Sequence, residues 1–209
     1  MYDEIFGDVK ALLAANDGEA TSIGIFPFRK RSEHIWRVFL WAKRLLDEGQ
    51  YDVDTKRECV LIAALFHDVG YAAALDSSRH AENGALLFEQ YACDNGYDSQ
   101  QRDFIAHLIR NHSNKRLLDE EDTPMELVIL MEADLLDETG AMSIVWDCMM
   151  EGAQAEQSFE KTYRHMVAHS SKMLNRNPMK TAIAKEYWAS KQTLLREFMR
   201  QLALDLAIG

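Results

Sequence analysis

The apolar positions of this chain recur with helical spacing along almost its whole length. Ile5, Phe6, Val9, Leu12 and Leu13 line one face of a first predicted helix, which Asn16-Asp17-Gly18 stops. Beyond a loop containing Pro27, Ser32 stands as the cap of a second helix. Its inner face carries Ile35, Val38, Phe39, Ala42 and Leu46, and Gly49 ends it. Thr55 and Glu58 have capping-box spacing and open a third helix. An unbroken apolar run from Val60 to Phe66 follows and reaches His67. A helix that is apolar all round is a buried one.

Ser78 is placed to cap a fourth helix running to about Asn95-Gly96, and a fifth runs from about Ser99 to near His112. Thr123-Pro124-Met125-Glu126 then combines a cap, a proline at the first helical position and a glutamate three residues on, which predicts a sixth helix. Gly140 and Gly152 mark breaks beyond it. Helices over about 156–174 and 178–206 close the chain, the last opened by Asn177-Pro178. No segment alternates with period two, and no repeat or linker interrupts the pattern. The expectation is one all-α domain over residues 1–209.

Composition narrows the function classes. The 209 residues suffice for a sizeable core. A net charge of −11 and a pI near 5.1 speak against a general nucleic-acid binder, which needs a basic face. Cys59, Cys93 and Cys148, odd in number and widely spaced, predict reduced thiols and a cytoplasmic protein. The acidic start MYDEIFGDVK does not resemble a signal peptide, and no run approaches the roughly 18 apolar residues of a membrane span.

The candidate chemistry lies at the predicted helix ends. His34 falls in the first turn of the second helix, and His67–Asp68 closes the third. His80 opens the fourth, His112 ends the fifth, and Asp134 lies in the sixth within EADLLDETG. Ligands contributed by several facing helices build the metal sites of helical bundles. Imidazole with carboxylate suits iron, manganese, zinc, cobalt or nickel, and a set without thiolate is not a structural zinc knot. His107 stands apart, since five residues place it about 140° around the helix from His112. His165 and His169 share a face at i, i+4, but lacking an evident third ligand they read as solvated histidines.

The order H…HD…H…H…D, carried by RSEHIWRV, LFHDVGY, RHAENGA, IRNHS and EADLLDETG, resembles the HD-domain superfamily of metal-dependent phosphohydrolases. The resemblance covers about residues 30–150. It implies an all-α HD-domain helical bundle with additional N- and C-terminal helices. It also implies a metal site of His34, His67, Asp68, His80, His112 and Asp134, in which Asp68 bridges two ions or ligates one. His80 and His112 look like the extra histidines of two-metal members, so the expected cofactors are two divalent ions. Iron or manganese fits that set, with zinc, cobalt, nickel or magnesium as further candidates. Gly70 is expected to let the chain turn away and leave the open side of the metal accessible.

The expected activity is hydrolysis of a small phosphorylated molecule or nucleotide by metal-activated water, with Asp68 in the catalytic role. Arg31, Tyr71 and Lys115 are the candidate substrate-binding residues, and Arg79 and Arg110 are further phosphate-binding candidates. Where cyclic-dinucleotide phosphodiesterases of the superfamily read HDxGK, this chain reads HDVGY, and their Gly-Tyr-Pro signature is absent; a smaller substrate is expected. Two readings stand beside this one. The first is an HD-type two-iron oxygenase cleaving a small organic substrate with dioxygen, in which Tyr71 would be a ligand or gate. The second is a non-catalytic sensor, which the intact ligand set disfavours.

Overall fold

A computed structural model describes residues 1–15, 30–52, 55–73 and 77–208, and these are all-α, with no strand among them. Contacts divide the chain into two compact units, Met1–Asp134 and Leu135–Gly209. The stop signal at residues 16–18 and the loop around Pro27 lie outside the described residues.

The first unit is built around its most apolar helix. Helices α1 (Tyr2–Ala15) and α2 (Arg31–Glu48) precede α3 (Arg57–Phe66), in which every residue from Cys59 to Phe66 is buried. Helix α2 lays Ile35, Val38, Phe39, Ala42 and Leu45 inward, so Leu45 takes the position expected for Leu46. Aromatic rings join α1 to α2: Phe6 meets Trp36 at 4.7 Å between centroids, and Tyr2 meets Phe39 at 5.3 Å. A 3-10 turn (Val69–Ala73) leads through a second short one (Ser77–Arg79) to α4 (His80–Asp94) and α5 (Ser99–Asn111). After another 3-10 turn (Lys115–Asp119), α6 (Met125–Asp137) begins behind Pro124, whose carbonyl accepts from the Leu127 and Val128 amides.

Several expected caps are not used. Helix α2 starts two residues early, at Arg31 behind Lys30, which leaves Ser32 buried inside its first turn. The Thr55–Glu58 box does not cap α3; instead Glu126 of α6 accepts from the Lys56 amide at 2.8 Å. Ser78 sits in a 3-10 turn and Arg79 is the residue that precedes α4. Asp98, in contrast, caps α5 by accepting from the Gln101 amide at 3.0 Å.

The second unit holds α7 (Ala141–Gly152), α8 (Phe159–Ala168), a 3-10 turn (Ser170–Leu174) and α9 (Ala182–Asp205) around Ile144, Met166 and Leu195. Gly140 opens α7 at φ 68°, a conformation that favours glycine. The single helix expected over 156–174 breaks at His169 (φ −119°, ψ −71°) into a helix and a 3-10 turn. Helix α9 starts later than expected, because Thr181 caps it through the Ala184 amide. No helix is long and apolar enough to cross a membrane among the described residues.

Candidate metal centre

All six predicted ligands fall in the first unit. Helix α3 delivers the central pair: its apolar last turn is buried on every side, so His67 at its C-cap (φ −54°, ψ −39°) has no route outward. The last carbonyls of a helix lack intrahelical partners. One of these, Ala64 O, accepts from His67 Nδ1 at 2.8 Å. Helix α5 repeats the device, since His112 is its C-cap and donates from Nδ1 to Ile109 O at 2.6 Å. A carbonyl oxygen only accepts, so each ring carries its proton on Nδ1 and turns the Nε2 lone pair toward the site. Burial keeps the His67 imidazole neutral, with its pKa pushed down to about 4.

The ligand atoms converge around Asp68. His34 Nε2 lies 3.2 Å from His67 Nε2, 3.5 Å from Asp68 Oδ2 and 3.3 Å from Asp134 Oδ1. His67 Nε2 stands 3.8 and 4.0 Å from the same two oxygens. The other Asp68 oxygen, Oδ1, serves a different pair: His80 Nε2 at 3.7 Å and His112 Nε2 at 3.6 Å. Two groups therefore have all their ligand atoms within 4.8 Å of one another, namely His34–His67–Asp68 and Asp68–His80–His112. Asp68 belongs to both.

Two cations close the electrostatic balance. Burial raises the Asp68 pKa, but His67, His112, His34 and Arg31 outweigh it and hold the carboxyl well below the usual range. Burial acts likewise on Asp134, and Lys115, His34 and His67 reverse it. Arg31 Nη1 donates to Asp68 Oδ2 at 2.6 Å; Lys115 Nζ donates to Asp134 Oδ2 at 2.6 Å and to His112 O at 2.9 Å. Carboxylates and cations thus cancel. What remains is a cluster of imidazole nitrogens and carboxylate oxygens, with His34 Nε2 and His67 Nε2 only 3.2 Å apart. That donor set fits a divalent cation of the borderline class, such as iron, manganese or zinc.

Other predicted residues sort clearly. Tyr71 lies beside the cluster, with the Arg31 guanidinium 3.9 Å from its ring centroid and the His80 ring stacked on it at 4.5 Å and 13°. Arg79 is exposed, and Arg110 is occupied by Glu82 and Glu89 at 2.8 and 3.0 Å. His107 is exposed and bonded to Asn111, away from the ligands. His165 departs from the expectation of a solvated side chain. Its Nε2 faces Asp147 Oδ1 at 3.4 Å and its Nδ1 faces Glu151 Oε1 at 3.1 Å. Carboxylates that stand at opposite nitrogens of one ring do not form a chelate.

Gly70 also has a different role from the one expected. Its backbone is not left-handed. A Cβ there would overlap the His80 carbonyl and the Gly84 amide, so the glycine lets the 3-10 turn lie directly on α4. The carbonyls of Ala64 and Ile109, which orient two candidate ligands, went unnoticed in the sequence. Their signal was a histidine three residues past an inward apolar position where a helix stops.

A model of the HD domain matches residues 31–139. No curated protein matches the chain. Among solved structures, Bacillus subtilis YpgQ in complex with ADP is 22% identical, with 98% of this chain and 97% of that one covered and a TM-score of 0.65. An HD-superfamily hydrolase from Bacillus thuringiensis is 19% identical, with 100% and 97% covered and a TM-score of 0.68. A protein described as a predicted HD-superfamily hydrolase, from an uncultured Thermotogales bacterium, is 20% identical, with 98% and 92% covered and a TM-score of 0.65. These likenesses establish the fold, and the matched segment contains all six converging residues: the chain belongs to the HD-domain family.

Proposed function

We propose that this protein is a metal-dependent phosphohydrolase of small phosphorylated molecules or nucleotides, with two divalent ions, iron or manganese, bridged by Asp68. The observation that carries this reading is the division of one carboxylate between two imidazole pairs, Oδ2 toward His34 and His67, Oδ1 toward His80 and His112. In this arrangement His34, His67 and Asp134 would hold one ion, and His80 and His112 the other. A divalent ion so placed polarises a phosphoryl oxygen and brings the pKa of its bound water toward roughly 7.

The chain's own residues supply the rest. Nδ1–carbonyl bonds fix His67 and His112 before any ligand arrives, which removes reorganisation from the reaction. Arg31 and Lys115 stand beside the two carboxylates, where their remaining N–H groups can take phosphoryl oxygens. Because these cations already balance Asp68 and Asp134, every added ion makes the site net positive within an acidic protein. That favours an anionic substrate. The bound ADP of YpgQ supports a nucleotide in particular.

The test is a panel of phosphate esters and nucleotides with added manganese, run in air and anaerobically, on protein purified without chelator. Phosphate release under both conditions is expected. Asp68→Ala should abolish it while leaving the helical circular dichroism intact, because Asp68 contributes charge and little apolar packing. Iron-dependent oxygen uptake without phosphate release would overturn the reading.

A further inference from the structure

Tyr71 follows the His67–Asp68 pair by three residues and touches two residues of the site. Its ring lies 3.9 Å from the Arg31 guanidinium carbon and stacks on His80 at 4.5 Å. The backbone enforces that placement. Gly70 packs against the His80 carbonyl with no room for a side chain, and the Tyr71 amide donates to Asp68 O at 3.2 Å. Tyr71 therefore stands on a short tether between the carboxylate of the site and the first turn of α4.

Arg31 is the group that needs such support. It is a long side chain at the start of α2, largely buried, with Nη1 committed to Asp68 Oδ2 at 2.6 Å. Its Nε is buried without a hydrogen-bond partner. A guanidinium presents its N–H groups in one rigid plane, and a buried one without an acceptor is a standing demand for an oxygen ligand. A planar cation stacks on an aromatic face, which fixes the direction of all its N–H groups at once; an ammonium does not.

We infer that Tyr71 is a positioning residue: stacked against the Arg31 guanidinium, it fixes that group as the oxyanion-binding cation of the site. Tyr71 acts through Arg31 and not through a contact of its own with the substrate. The oxyanion half of this inference rests on the phosphohydrolase reading; the stacking half does not.

Two measurements decide it. In the first, inorganic phosphate is titrated calorimetrically into manganese-saturated protein, with manganese content recorded for each variant. Tyr71→Phe keeps the ring and should bind phosphate within about twofold of the unmodified protein. Tyr71→Leu and Arg31→Leu should each weaken binding about tenfold, and the double variant no further than Arg31→Leu alone. Losses that add in the double variant would overturn the inference. So would a Tyr71→Phe loss as large as that of Tyr71→Leu, or a fall in manganese content in Tyr71→Leu, which would route the effect through His80.

The second measurement is a double-mutant cycle of residues 31 and 71 on thermal unfolding of metal-free protein. Non-additive losses are expected, and additive ones would overturn the stacking itself. Protein that takes up manganese but no phosphate removes the anion role and the inference with it. Protein that takes up neither removes the phosphohydrolase reading, and the metal-free cycle still decides whether Tyr71 holds Arg31.

Discussion

His67 and His112 meet edge to face, with ring centroids 5.0 Å apart and planes at 84°. Each caps the C-terminus of its helix and each turns Nδ1 onto the carbonyl three residues back. Two helices thus end at one point, and each uses an otherwise unpaired carbonyl to aim a ring. A helix end is the place for a ligand because its backbone supplies the orienting acceptor.

The buried imidazole sets a pH dependence. In metal-free protein, His67 has its pKa lowered from 6.5 to about 4, so between those values the unfolded chain binds a proton that the folded chain refuses. Stability should fall as the pH drops from 6.5 to 4. Asp68 and Asp134, held below 3.8, stabilise the fold above that value and lose their contribution only at lower pH. Urea unfolding at a series of pH values should show the histidine window first, with a shallower slope for His67→Gln.

Gly70→Ala should destabilise the protein by about 2 kcal/mol or more, since its methyl group meets backbone on both sides and backbone cannot step aside. Gly84→Ala should cost less, because the nearest atoms there stand at 3.3 Å. Thermal unfolding measures both, at roughly 2–4 °C per kcal/mol for a chain of this size.

Glu126→Ala leaves the Lys56 amide without its acceptor. A loss of about 1 kcal/mol is expected, the usual cost of an N-terminal cap. An unchanged melting temperature would show that the bond between the start of α6 and the start of α3 contributes nothing.

Lys115→Met should move two quantities in opposite senses. Removing the cation 2.6 Å from Asp134 Oδ2 makes the site more negative, so manganese should bind at least as tightly. A phosphorylated substrate loses a charged partner, and its KM should rise about tenfold. Weaker manganese binding in this variant would show that Lys115 holds the site together instead of serving the substrate.

The candidate ligands and their order along the chain were legible because they are local. Each histidine stands near a helix end, and apolar spacing alone locates those ends to within a residue or two. The partition of the two Asp68 oxygens was not legible, since it depends on four helices arriving at once. One cap failed for a related reason. Thr55 had the right spacing, yet the helix starts behind Lys56, whose own amide is held by Glu126, seventy residues away. His165 read as solvated because Asp147 and Glu151 lie on another helix. Gly70 was recognised as a break, but its close approach to α4 is a tertiary fact with no local signature.

The central claim is that Asp68 joins two ion sites, and metal content per chain tests it most directly. Protein saturated with manganese and freed of excess by dialysis should hold about two ions, by elemental analysis. His112→Ala should retain about one, because His34, His67 and Asp134 are untouched, and His107→Ala should retain both. One ion in the unmodified protein, or loss of every ion on substituting His112 alone, would contradict the account.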